Sequence, residues 1–186
     1  MRGRAGQPPR IAFRQVNRPD LPDYDPSLQR HHILPRQIAN ERCFARFLKG
    51  IGLDAMGFHD FRRNGLLLPC REPAALRLGL PLHRGPHRRY NAMVMDRLGR
   101  IEADWSRQRL AYASNARRDA LMRIRLLQNA LRRLLLRQAK IRLTLHRRDQ
   151  ALADRDFAEL DAMADSIWKA TNAGQVPVTS ASDPIA

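Results

Sequence analysis

Apolar residues recur at helical spacing along much of the chain and change pattern at only a few places. Ile38, Phe44, Phe47 and Leu48 form a stripe that predicts a helix ending at Gly50 or Gly52. Asn64-Gly65 then opens the unbroken run Leu66-Leu67-Leu68, closed by Pro69. That pattern predicts a turn into a short buried strand. A loop leads to Leu80 and on to His87, and Pro86 is placed in the first turn of a helix that turns Tyr90, Val94 and Leu98 inward. From 101 to 148 the spacing of Trp105, Leu110, Leu121, Ile124, Leu127, Leu131, Leu134 and Leu135 predicts one long helix or two. A further helix is expected over about 150–170, carrying Leu152, Phe157, Leu160, Met163, Ile167 and Trp168.

The ends of the chain lack such periods. Residues 1–29 hold Pro8, Pro9, Pro19, Pro22 and Pro26, a density that opposes both helix and central strand. We read this stretch as an irregular basic arm, a solvated leader rather than a DNA-backbone arm. Residues 171–186 are small and polar and read as a disordered tail. Four regions follow: the arm 1–29, a core 30–100, a helical extension 101–170 and the tail 171–186. The class is α+β, mostly helical.

Charge sharpens the picture. The 186 residues carry 34 Lys+Arg against 18 Asp+Glu, a net charge of +16. A field of that sign points to a polyanion, nucleic acid or an anionic membrane surface. The cations are nearly all arginine, whose planar fork grips phosphate at two points. Between 117 and 148 eleven basic residues stand beside one acid, Asp119, whereas the helix over 150–170 carries Asp154, Asp156, Glu159, Asp161 and Asp165. Two such helices are able to pair as an antiparallel hairpin. The basic helix is read first as a DNA-backbone platform, next as a face for an acidic partner or for packing within the fold, and last as a membrane-surface helix. No apolar run approaches the ~18–20 residues of a transmembrane helix. The first thirty residues show no apolar segment of a secretory signal. Cys43 and Cys70 are too few for a disulfide framework and read as reduced thiols.

The candidate chemistry lies in histidine. Four of the six histidines form two tight groups, His31-His32 and His83-x-x-x-His87. On a strand or extended loop, His31 and His32 point to opposite sides, so one is able to face a metal and the other a water. His83 and His87 are read as lying just before the helix and in its first turn, and they permit two ligands converging on one ion. His59 and His146 are read as ordinary surface or hydrogen-bonded residues. A closed four-histidine structural site is the alternative.

These stretches together resemble the AHH family of the HNH/endonuclease VII superfamily, known as nuclease domains of bacterial polymorphic toxins. The resemblance rests on His31-His32-Ile33-Leu34-Pro35, on Asn64-Gly65-Leu66-Leu67-Leu68-Pro69, and on Leu82-His83-Arg84-Gly85-Pro86-His87 with Tyr90-Asn91 after it. It covers about residues 30–98. One departure is Arg30, where the family name calls for alanine.

The resemblance implies a small ββα-metal core around a single divalent ion, with added helices and a C-terminal helical hairpin. It implies His31, His83 and His87 as metal ligands and His32 as general base. Asn64 matches the residue that holds the general-base loop by hydrogen bonds, although an Asn before Gly also suits a tight turn. Arg84, Arg88 and Arg89 flank the ligands and are candidates for clamping phosphates, or else form an exposed basic face. The ion is magnesium, manganese, zinc or nickel, since histidines favour zinc or nickel whereas HNH turnover commonly runs on magnesium or manganese. The function expected is a metal-dependent DNA endonuclease of low sequence specificity. The setting expected is a bacterial toxin, cytoplasmic in its producer, exported by a specialised machine and paired with an acidic immunity protein. The alternatives are a non-catalytic DNA-binding protein with a structural metal site, an intracellular phage or repair nuclease, and cleavage of RNA.

Overall fold

The protein was analysed as a computed structural model, which describes residues 9–137 and 144–146. Strand β1 (Leu28–His32) pairs antiparallel with strand β2 (Gly65–Pro69), with His31 opposite Leu66 and His32 opposite Gly65. Leu66 and Leu68 of the apolar run of β2 are buried, Leu68 wholly, and Leu67 between them is half-buried. Pro69 closes it without losing the last rung, because the Cys70 N–H donates to the Ser27 carbonyl at 2.7 Å.

The segment between the strands departs from the predicted single helix. It consists of two 3-10 turns, Arg36–Asn40 and Arg42–Phe44, followed by helix α1 (Ala45–Ile51). Ile38 and Phe44 are six residues apart, which on a helix of 3.6 residues per turn would put them about 240° apart. The extended Glu41 between the two turns brings both into the core. Helix α1 ends at Gly52, whose φ of +86° only glycine adopts readily. The four-residue helix α2 (Phe61–Asn64) leads directly into β2. The expected Asn-Gly turn is absent. Neither residue has a positive φ, and Gly65 is extended. A Cβ at Gly65 would lie 2.2 Å from the Phe61 ring, so close packing selects the glycine.

Beyond β2 the expected loop contains helix α3 (Glu72–Leu78), with Pro73 in its first turn and left-handed Gly79 ending it. Strand β3 (Leu82–Arg84) follows and pairs in parallel with strand β4 (Thr144–His146). Helix α4 (Arg88–Gln108) buries Tyr90, Val94, Leu98, Ile101 and Trp105. Pro86 lies ahead of this helix and His87 is its N-cap, so neither is in the first turn.

Helix α4 crosses residue 100 without a break, so no boundary separates core from extension there. Residues 109–112 form the turn, and helix α5 (Ala113–Leu136) returns along α4. Its buried stripe is Ala116, Ala120, Ile124, Leu127, Leu131 and Leu135, the spacing of one helical face. An ion pair between Arg123 and Asp104 ties the two helices. Trp105 meets Phe47 edge-on at 5.4 Å, which seats the helical pair on α1. The helical hairpin among the described residues is therefore α4 with α5. The expected continuation of the basic helix to 148, the acidic helix 150–170, the tail 171–186 and the first eight residues lie outside the described residues.

The arm reading needs correction over 9–29. Phe61 N–H donates to the Ile11 carbonyl at 2.7 Å, and Ile11 N–H donates to Asp60. Asn17, at φ +47°, donates to the Asp25 and Leu28 carbonyls and accepts from Asp25 N–H. Prolines keep the stretch irregular and many of its residues stay exposed, but side-chain and backbone bonds tie it to the core.

Candidate metal centre and active site

Strand alternation sends His31 and His32 to opposite sides of β1. His31 is buried, at 1% exposure, against β3 and the start of α4. Its ring centroid lies 5.0 Å from that of His83 and 4.9 Å from that of His87, and His83 and His87 are 5.2 Å apart. One nitrogen from each of the three histidines falls within 4.8 Å of the others. The strand, the second short strand and a helix N-cap thus bring three imidazoles to one point.

Polar partners set which nitrogen each ring presents. His83 Nδ1 lies 3.1 Å from Gln29 Oε1, and His87 Nδ1 lies 2.9 Å from Asn91 Oδ1. Asn91 Nδ2 in turn donates to Gln37 Oε1 at 3.0 Å. An amide oxygen only accepts, so both Nδ1 atoms carry the proton and both Nε2 atoms present a lone pair. The Nε2 atoms of His31 and His83 are buried and have no hydrogen-bond partner. A buried, unpartnered ring nitrogen is unfavourable by itself, and two of them in a cluster whose ligand atoms lie within 4.8 Å of one another fit a cation. Burial pushes His31 well below the usual imidazole value, and the neighbouring His83, His87 and His32 add to this. Burial and then His87 push His83 down to about 4. Burial also lowers His87, against the hydrogen bond it donates to Asn91. All three rings are therefore neutral at pH 7, the state a metal ligand needs. Tyr90 is wholly buried, packs on His31 and His87, and donates from its hydroxyl to the Ile33 carbonyl at 2.8 Å.

His32 occupies the other side of β1. Its ring stacks flat on Phe13 at 3.7 Å, and Phe13 is braced edge-on by Phe61 at 5.2 Å. Burial, and then the neighbouring Arg36, His59 and Arg30, push His32 down to about 4. A neutral, half-buried imidazole is able to accept a proton at pH 7. Asn64 is fully buried behind it. The Leu34 N–H donates to Asn64 Oδ1 at 2.7 Å, and Asn64 Nδ2 donates to the Phe58 carbonyl at 3.0 Å. The Ile33 N–H donates to the Asn64 carbonyl at 2.8 Å. Asn64 therefore pins the backbone that leaves His32.

The three arginines are less concentrated. Arg84 bonds the Cys70 carbonyl and lies 3.7 Å from Glu72. Arg88 and Arg89 are exposed on the first turn of α4, immediately after His87. His59 is exposed, and the side chain of His146 lies outside the described residues. Gln29, Gln37 and Phe13 were missed from the sequence. Gln29 was open to detection, since it stands two residues before His31 on one face of the strand. Asn91 stands one helical turn after His87.

An α+β chain with an antiparallel strand pair, a following helix and three converging imidazoles has the make-up of a small ββα-type nuclease core. The profile of AHH, a nuclease family of the HNH/ENDO VII superfamily with conserved AHH, matches residues 13–132. The chain belongs to this family and is a nuclease, with nucleic acid as its substrate. The match begins at Phe13, which stacks on His32, and reaches through most of α5, well beyond the stretch 30–98. In this chain the three-residue signature reads Arg30-His31-His32. Arg30 is exposed and its guanidinium bonds the Phe13 carbonyl at 2.9 Å, so its bulk stays out of the core. Comparison with curated proteins and with solved structures gives no significant match. Among the described residues no helix is long and apolar enough to cross a membrane.

Proposed function

We propose that the chain is a metal-dependent endonuclease that hydrolyses phosphodiester bonds of DNA with little sequence specificity. The observation that carries this reading is the pair of buried, unpartnered Nε2 atoms on His31 and His83, beside His87 and one residue from a neutral imidazole on the opposite side of the strand. His31, His83 and His87 would hold one divalent ion, magnesium, manganese, zinc or nickel, which supplies Lewis-acid stabilisation of charge on the phosphate.

The remaining tasks fall to side chains of the chain itself. His32 accepts the proton of the attacking water, held in orientation by the face of Phe13. Asn64 fixes the strand end behind His32, so the imidazole needs little rearrangement to act. Arg84, Arg88 and Arg89 bind phosphate oxygens beside the scissile bond. The absence of a base-reading module in the sequence supports low specificity. The family resemblance supports a role as a bacterial toxin or effector, exported by a specialised secretion machine, acting in the target-cell cytoplasm and held in check by an acidic immunity protein.

Supercoiled plasmid incubated with magnesium, manganese, zinc or nickel tests the reading, with EDTA and His32→Ala as controls. Nicking that needs metal and is lost in a folded, metal-binding His32→Ala chain is the expected result. Tight, salt-sensitive DNA binding without cutting in any metal would replace it with a non-catalytic binding protein whose histidines hold a structural ion.

A further inference from the structure

Arginines of α2 and α5 meet in an open concavity of about 250 Å³, lined by Arg62, Arg63, Arg125, Gln128, Asn129 and Arg132. Among the described residues no carboxylate lines it. Among the described residues Asp60 approaches one of these arginines, 3.9 Å from Arg62, and its Oδ1 already accepts the Ile11 and Arg62 N–H groups. Four like charges gathered around a hollow that no described carboxylate lines repel one another, and an anion between them removes that repulsion.

The concavity is built, not a chance meeting of mobile side chains. Arg132 donates to the Arg62 carbonyl at 2.7 Å and to the Arg63 carbonyl at 3.3 Å, pinning α2 onto α5. Burial lowers its pKa. A guanidinium has five N–H donors, so these two acceptors leave it capacity for a ligand. Gln128 is buried and donates to the Met56 carbonyl at 3.3 Å. The stem of Arg63 lies along Gly57, where a Cβ would come within 2.3 Å of it. Arg62 and Arg125 are exposed at the rim.

The placement ties this concavity to His32. Helix α2 is four residues long, about 6 Å at 1.5 Å per residue. Its Phe61 braces the Phe13 ring that stacks on His32, its Asn64 pins Leu34, and its Arg62 and Arg63 line the concavity.

We propose that this concavity is a second phosphate-binding site, which holds backbone phosphates of the nucleic-acid strand away from the bond being cut. The inference rests on the nuclease reading for the identity of the polyanion, and it assigns to Arg62, Arg63, Arg125 and Arg132 a role separate from Arg84, Arg88 and Arg89. Several cations around an open hollow suit a chain of phosphates better than a single ion. The ligand chemistry is the phosphate group, and free inorganic phosphate is the other source of it.

The test is binding of a labelled DNA duplex to the full chain in EDTA, between about 50 and 200 mM salt. The variant Arg62→Gln/Arg125→Gln removes the two rim charges and leaves the Arg132 bonds intact. The variant Arg46→Gln/Arg100→Gln removes the same net charge outside the concavity. The expected result is an affinity about tenfold weaker and a salt slope shallower by about 1.8 for the rim variant, since each phosphate contact contributes ~0.9. The control keeps the wild-type slope. If the rim pair lowers the slope no more than the control pair, the site is overturned. Arg125→Gln alone, expected to lower the slope by ~0.9, serves if the double variant does not fold.

Inorganic phosphate and anionic phospholipid vesicles form the other arms. A thermal shift with inorganic phosphate that the rim variant abolishes, with DNA binding unchanged, would make this a free-phosphate site and overturn the backbone assignment. Vesicle binding that depends on the rim pair, with DNA binding unchanged, would overturn it in favour of a membrane surface. The plasmid assay separates this inference from the reading beneath it. A chain that binds DNA through the rim but never nicks keeps the site and loses the endonuclease, whereas a chain that neither binds nor nicks loses both.

Discussion

Two histidines adjacent in sequence have opposite surroundings. His31 is enclosed with His83, His87 and Tyr90, whereas His32 stacks on Phe13. The split gives a sharp prediction. His32→Ala should lower nicking about 10²–10⁴-fold, the usual contribution of a general base, and leave metal binding in place. His31→Ala should abolish metal binding, measured by calorimetry, together with nicking. Loss of metal binding in His32→Ala would instead make it a fourth ligand. A second prediction concerns the amides behind the rings. Gln29→Ala and Asn91→Ala each remove the acceptor that fixes a histidine Nδ1 proton. Metal affinity should fall about 10–100-fold in each, with the melting temperature of the metal-free chain nearly unchanged. The histidines were legible because each pair is a local motif, readable without knowing the fold. Gln37 and Phe13 were not, because their contacts with Asn91 and His32 exist only after distant segments fold together.

At the scale of elements, legibility followed length and period. Strand β2 and the inward face of α4 were readable because an apolar run or a helical stripe persisted over several residues. Helix α3 carried the start and stop signals Pro73 and Gly79, but it buries only Ala74 and Ala75, too little for a stripe. Strand β3 has three residues and finds its partner only beyond α5, so no local pattern announces it. The join between α1 and α4 is equally invisible in sequence and yields the third prediction. A Cβ on Gly50 would lie 2.4 Å from the Trp105 ring. Gly50→Ala should therefore destabilise the fold by about 1–3 kcal/mol, the usual penalty of overpacking, even though alanine is the better helix former. Gly50→Ala in a Trp105→Phe background should recover part of that loss. Chemical denaturation of the wild type, both single variants and the double variant measures it, and an unchanged midpoint for Gly50→Ala alone would show that α4 stands off α1.

The whole molecule combines a net charge of +16 with a nest of neutral histidines, His31 buried and His32, His83 and His87 half-buried. Most of the described arginines serve the surface, yet Arg117 bonds the Ile51 carbonyl and Arg132 the α2 carbonyls, so part of the charge caps helices. The histidines make stability depend on pH. His32 and His83 are held down to about 4 in the fold, while in an unfolded chain they take up protons near 6.5. Between those values the unfolded state binds more protons than the native state, so stability falls as pH drops from about 6.5 to about 4. His31 and His87 shift in the same direction, and each proton gained also adds to a charge that is already strongly positive. The metal-free chain should keep a level melting temperature above pH 7 and lose it steadily below 6.5. A saturating divalent ion should raise the melting temperature at pH 7, because it binds only the folded arrangement of neutral rings. That increment should hold through most of this window and shrink only as pH nears 4, where the folded His83 takes up a proton and competes with the ion. Calorimetric scans from pH 8 to 4, with EDTA and with zinc, measure both curves. A metal-free curve that stays flat down to pH 4.5 would mean that the histidine nest opens to water, and the fit of His31 and His83 to a cation would fall with it.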